Sequence, residues 1–294
     1  MLVKAFLAYL KNECNSSPRT VESYSEDLRA FERYFTSLDG SVSWLTVDGD
    51  IIRDWLEVMM DKGNKATSVN RRLSAVRTFY RYALSRQLVE RDPSYGIVGP
   101  KKERPLPFFV TETDMDTLLE EKMWDSSSYK DVRARTILLM FYETGLRVSE
   151  LLGLDDAMID FVNRQLKVTG KGNKQRIVPF GEELDRVLHD YIAMRDQKVP
   201  RMSSAFFLTE KGKRMSYSQV HGIVTKQLGR VTTMKKRSPH VLRHSFATAM
   251  LNHDAGLESV KKLLGHQKLS TTEIYTHTTF EQLRKVYHNA HPRN

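Results

Sequence analysis

Four of the nine prolines fall in one stretch, RDPSYGIVGPKKERPLP, and no other feature constrains the fold as strongly. Proline fixes φ and removes a backbone donor, so a run this dense cannot continue a helix or a central strand. The stretch reads as an extended linker over residues 93–107. It divides the 294-residue chain into a front domain, 1–92, and a back domain, 108–294. That length suits two domains, and 40% hydrophobic residues suffice for a core in each.

The front domain reads as all helix. A first helix is expected near residues 2–12. Ser17-Pro18 then opens a second, in which Val21, Tyr24, Leu28, Phe31 and Phe35 recur at helical spacing. A third is expected over 50–60 and a fourth over about 66–88, with Val69, Leu73, Val76, Tyr80 and Leu84 as its buried stripe. Between Lys62 and Leu88 the chain carries Lys62, Lys65, Arg71, Arg72, Arg77, Arg81 and Arg86 and no acid. Solvated helix faces usually mix both signs, so a face of one sign suits contacts to phosphates.

The back domain reads as mixed. An apolar helix over 131–143 should stop at Gly145 in a left-handed cap, followed by a short helix near 148–152. Strands are expected at 165–169 and 175–180, joined by the GKGNK hairpin. Further helices are expected at 182–198, 216–228, 241–253 and 257–264. Ser270 and Glu273 form a capping box that opens a short helix carrying Tyr275, and a last helix covers 280–289. The fold class is therefore mainly α: an all-helical front domain and an α+β back domain with a small antiparallel sheet.

Composition narrows the function. Cys14, the one cysteine, can form neither an internal disulfide nor a thiolate metal site, which points to a reducing, cytoplasmic setting. The start of the chain mixes charges too early for a signal peptide, and no apolar run nears the ~20 residues that span a bilayer. The formal charge is +10, with 17 basic against 14 acidic residues through position 104 and 29 against 22 beyond it. Both domains thus suit a polyanionic partner, nucleic acid before a membrane. No GxxxxGK[ST] phosphate loop is present, so no nucleotide cofactor is expected. His240 and His244 have zinc-ligand spacing. The glutamate of that motif is missing, however, and Arg243 between them would repel a cation, so no metal is expected.

Singly, the remaining candidates are ordinary. His240 reads as a buried histidine, Arg243 as a surface arginine and His266 as a helix-end cap. Tyr142, Tyr191, Tyr217 and Tyr287 read as core or interface residues. As a set they differ. Arg147, Lys171, His240, Arg243, His266 and Tyr275 occur in that order within TGLRVSELLGL, GKGNKQRIVP, PHVLRHSFAT, LLGH and STTEIYTH. These words resemble the boxes of the tyrosine recombinase family, in order and across nearly the whole chain. The ending AHPRN and the length resemble its bacterial Xer branch.

The resemblance implies a core DNA-binding front domain, a catalytic back domain and a 3′-phosphotyrosine intermediate formed by Tyr275. It implies that Arg147 and Arg243 hold the phosphate, His240 acts as base, Lys171 as general acid, and His266 bonds a nonbridging oxygen. It also implies double-stranded DNA at a specific short site as partner, and a homo- or hetero-tetramer on that DNA. The last helix would then pack into a neighbouring protomer, although its apolar residues Phe280, Leu283, Val286 and Tyr287 equally suit folding back. A second Xer-type recombinase and a septal DNA translocase are the further expected partners. Residue 2 already starts the first helix, so no arm-binding domain is expected in front, which favours chromosome dimer resolution. Inversion or integration of a mobile element is the alternative, ahead of a type IB topoisomerase-like enzyme or a catalytically inactive DNA-binding protein.

Overall fold

The computed structural model describes residues 2–102, 108–170, 173–265 and 277–293, with the backbone alone for 277–282. The chain forms two compact units, Met1–Pro105 and Leu106–Asn294. In the first, α1 (Leu2–Asn12), α2 (Pro18–Leu38), α3 (Gly49–Asp61) and α4 (Ala66–Ser85) enclose an aromatic core. Phe6, Phe31, Phe35, Trp44, Trp55, Phe79 and Tyr80 are all buried there. The α2 start follows from Ser17, whose Oγ accepts the Thr20 amide at 3.2 Å, with Pro18 in the first turn. α4 ends three residues earlier than its apolar spacing predicts. Gln87 turns left-handed (φ 56°), its amide bonds Leu84 O, and the Leu88 amide reaches Ala83 O at 2.9 Å. Those paired bonds form a Schellman stop, here built on a glutamine where glycine is usual.

The second unit is organised around α6 (Tyr129–Thr144), buried on every side from Thr136 to Thr144. A helix without a polar face must lie inside, and α8 (Glu182–Lys198) and α10 (Pro239–Asn252) pack against it. Gly145, at φ 59°, closes α6 as expected. α5 (Glu112–Leu119) precedes α6, and α7 (Val148–Leu152) follows it. α5 is absent from the expectations above, although Thr111 caps it through the Asp114 amide (3.1 Å) and Met115, Leu118 and Leu119 form its buried stripe. The sheet is antiparallel in the order β1 (Ile159–Asp160), β2 (Gln165–Thr169), β3 (Gln175–Pro179). β1, at two residues, is too short to show a period. In β3, Arg176 and Val178 face inward opposite Val168 and Leu166. An arginine thus occupies a position that alternation reserves for an apolar residue.

α9 (Tyr217–Leu228), α11 (Leu257–Leu264) and α12 (His277–Ala290) complete the unit. α12 folds back on its own unit: Leu283, Tyr287 and Ala290 are buried with Phe246, Met250, Val260, Leu263 and Leu264. Of the two arrangements open to this helix, the structure therefore has the folded-back one. Tyr287 Oη donates to the fully buried Glu143 carboxyl at 3.2 Å, and the Gly181 amide donates to the same oxygen at 3.1 Å. Burial pushes Glu143 up to about 8. His291 is locked as the neutral tautomer, its Nδ1 accepting the Arg293 amide and its Nε2 donating to Tyr142 O. Burial pushes it down to about 4. Arg293 then grips Glu183 with two bonds (2.5 and 2.6 Å) and Asp116 with a third (2.6 Å).

Candidate active site

The left-handed turn at Gly145 swings the chain out of α6 and places Arg147 at the N-cap of α7. Glu150, one turn on, accepts the Arg147 amide on Oε2 (2.8 Å) and the Arg147 guanidinium on Oε1 (2.8 Å). Its carboxylate is almost wholly buried, 1% exposed, whereas the Arg147 side chain is 31% exposed. Arg176 reaches the same carboxylate with two bonds, 2.7 and 2.9 Å. Burial opposes ionisation of Glu150 most strongly. The bonds and charge of Arg176, followed by the Arg147 contacts, outweigh it and hold the acid below its ordinary value.

Arg243 comes from the first turns of α10 and is buried. It donates to Gly145 O (2.5 Å) and to Leu264 O (2.6 Å). Burial first, and the charge of Arg147 second, push it down to about 10, so it stays cationic at neutral pH. One pattern unites the site. The carbonyls of Leu263, Leu264 and Gly265, which end α11, accept from Arg176 (2.9 Å), Arg243 (2.6 Å) and Arg147 (3.2 Å) respectively. The electronegative end of a helix thus orients three guanidinium groups from three other elements. Arg147 and Arg176 bind the one carboxylate while Arg243 meets only carbonyls, so three positive charges stand against one negative within the set. Such a cluster can hold an anion with spread charge, and planar forks match phosphate oxygens.

His240 lies beside this cluster in the first turn of α10 and is exposed. Although its surface is open, nearby atoms thin its hydration. That loss, then the charges of Arg243, His244, Lys236 and Arg147, holds the ring below the ordinary histidine value. The imidazole is therefore neutral at pH 7 and able to accept a proton. The separate readings of these two residues are reversed, with Arg243 buried and His240 exposed. A carbonyl cage can bury a guanidinium.

Arg147, His240 and Arg243 are thus brought together. Lys171, His266 and Tyr275 lie outside the described residues, as do Ser270 and Glu273. Their described neighbours border the cluster: a Cβ on Gly170 would sit 3.3 Å from Glu150 Oε1, and Gly265 O is the Arg147 acceptor. Sequence reasoning missed Glu150 and Arg176. Each left a signal, an acid one turn after Arg147 and a charge at an inward strand position. Of the four tyrosines read as core, Tyr142, Tyr191 and Tyr287 are buried, whereas Tyr217 is 47% exposed.

In the first unit the basic run is unevenly available. Lys62, Lys65 and Arg81 are exposed. Arg71 is exposed but bonds Asp27 and Ser23. Arg72 is half-buried against Asp27 and Met59 Sδ, and Arg77 donates to Ile97 O. An acid from α2, distant in sequence, therefore faces a run that contains none of its own.

Residues 109–282 match the phage integrase family, and residues 3–87 match the phage integrase N-terminal SAM-like domain. The chain is 39% identical to tyrosine recombinase XerC of Pelotomaculum thermopropionicum over 298 residues, covering 98% of this chain and 97% of that protein. It is 33% identical to XerD of Oceanobacillus iheyensis over 294 residues, covering 99% and 98%. Among solved structures, the fold is similar to the XerH site-specific recombinase bound to palindromic difH substrate. That match has a TM-score of 0.72 at 22% identity over 96% of this chain and 83% of that one. No helix among the described residues is long and apolar enough to cross a membrane.

Proposed function

The chain belongs to the phage integrase family as a tyrosine site-specific recombinase, and on that premise we propose that Tyr275 is the nucleophile with which it breaks and rejoins DNA. The observation that carries this reading is the arginine cluster at the end of α11, with two uncompensated charges and a neutral imidazole beside it. A phosphodiester repels an attacking anion, and the pentavalent state adds charge to its nonbridging oxygens. Arg147 and Arg243 meet that charge, and losing one such donor commonly costs ~3–4 kcal/mol. A tyrosine with an ordinary pKa of about 10 is only ~0.1% ionised at pH 7, so His240 takes the phenol proton as Tyr275 Oη attacks phosphorus. The 5′-oxygen leaves with a proton from Lys171, and His266 bonds a nonbridging oxygen. The phosphotyrosine conserves the energy of the broken ester, so a 5′-hydroxyl reverses the step without an external energy source.

The assembly is a tetramer on two copies of a short double-stranded site, with Lys62, Lys65, Arg71, Arg72, Arg77 and Arg81 meeting the backbone. In it the last helix leaves its own unit for a neighbouring protomer. The front domain is taken as 1–92, the linker as 93–107 and the catalytic domain as 108–294. The biological role is Xer-type resolution of chromosome dimers in the cytoplasm, with a second Xer-type recombinase and a septal DNA translocase as partners. End-to-end coverage by XerC and XerD proteins supports that role over inversion or integration.

DNA bound in the cell, recovered and sequenced, identifies the site; one locus near the replication terminus is the expected outcome. A duplex carrying that site with a nick near the cleavage position should then trap a covalent adduct. Absence of the adduct in wild type, or its persistence in Tyr275→Phe, overturns the mechanism.

A further inference from the structure

Arg176 stands outside the six residues of the expected set, yet it binds both the carboxylate and the helix end on which the cluster is built. It rises from β3, the strand that follows the GKGNK hairpin, and takes an inward position there. Its two terminal nitrogens hold both oxygens of Glu150, and its Nε donates to Leu263 O. Gly265 lets this happen: a Cβ there would sit 3.2 Å from Arg176 Cδ and Nη1. Only 7% of the Arg176 side chain is exposed, against 31% for Arg147, so Arg176 holds the carboxylate from the buried side.

The charges explain why a second arginine is needed. Glu150 is buried and must stay ionised to accept four hydrogen bonds, two from Arg147 and two from Arg176. A buried carboxylate demands a full compensating charge. With Arg176 present, two guanidinium groups share that demand, and the more exposed Arg147 retains charge for an outside anion. Without Arg176, Arg147 alone would have to compensate Glu150, and the surplus of the set would fall from two charges to one.

We infer that Arg176 is a positioning residue that neutralises Glu150, leaving Arg147 and Arg243 fully charged toward the scissile phosphate, and that ties the hairpin strand to the end of α11. The inference rests on the phosphoryl-transfer reading above.

The test is single-turnover adduct formation by the full chain on the nicked duplex. The variants are Arg176→Met, Arg176→Gln, and each combined with Glu150→Gln. Either single variant is expected to slow adduct formation by about thirtyfold or more at saturating DNA, while half-saturation moves less than about threefold. Removing the acid as well restores the surplus of two charges, so each double variant is expected to be about tenfold faster than its single parent. A merely structural role predicts the reverse, because each double variant loses a further bond between Arg147 and residue 150. Arg176→Gln keeps a polar end group without the charge and serves if Arg176→Met does not fold. Double variants no faster than their parents, or single variants within about threefold of wild type, overturn the inference alone. A wild-type chain that forms no adduct overturns the chemistry, and the inference with it.

Discussion

Glu143 and His291 flank the seat of α12 and titrate against each other. Glu143 is fully buried, and its Oε1 has no partner among the described residues. Its ordinary value of 4.5 rises to about 8 through burial. A raised acid binds its proton more tightly in the folded chain, so the stability linked to it is full below 4.5 and is lost as pH climbs towards 8. Between pH 5 and pH 7 the unfolded chain ionises Glu143 while the folded chain stays protonated, which removes about 2.5 kcal/mol. His291 falls from 6.5 to about 4, again through burial. Its contribution is full above 6.5 and lost as pH falls, so the same interval adds about 2 kcal/mol. The two slopes nearly cancel, and substitutions should expose each. Glu143→Gln keeps acceptors for Tyr287 and Gly181. Relative to wild type it should gain about 2.5 kcal/mol on going from pH 5 to pH 7, while His291→Gln should lose about 2 kcal/mol. Hydrogen exchange of the α6 amides at the two pH values reads these differences directly. A Glu143→Gln difference that changes by less than about 0.5 kcal/mol would refute a protonated, buried carboxyl at this position.

Three further outcomes follow from local geometry. Gly145→Ala forces a Cβ to 2.5 Å from Phe246 Cδ1 and 2.8 Å from Leu264 Cδ2 at a left-handed φ. Thermal unfolding should show a loss of about 2–4 kcal/mol, and Gly145→Asn, suited to that φ but larger, should not recover it. Ser245→Ala strands the buried Val110 amide, which donates to Ser245 Oγ at 2.8 Å. Denaturant titration should register about 1–3 kcal/mol, and Ser245→Thr should recover part of it. Arg293→Ala removes the three bonds to Glu183 and Asp116. Limited proteolysis should then cut within α12 faster than in wild type, with a stability loss of about 1–3 kcal/mol.

Much of this molecule is local in origin, and local rules read it from the chain. The α2 start at Ser17-Pro18, the glycine stop of α6 and the two strands around GKGNK each depend on neighbours a few residues away. Arg147, His240 and Arg243 were legible too, because each lies in a word with a recognisable pattern. Tertiary structure decided where those residues lie and what they bond. Arg243 is buried because carbonyls 98 and 21 positions away, Gly145 O and Leu264 O, cage its charge. Arg176 meets Glu150 across 26 positions. α12 lies on its own unit because Tyr287 finds Glu143 across 144. No period or cap encodes such pairings. They arise when packing removes water from several charged groups at once and leaves each needing a partner, and only the folded chain determines which partner is within reach.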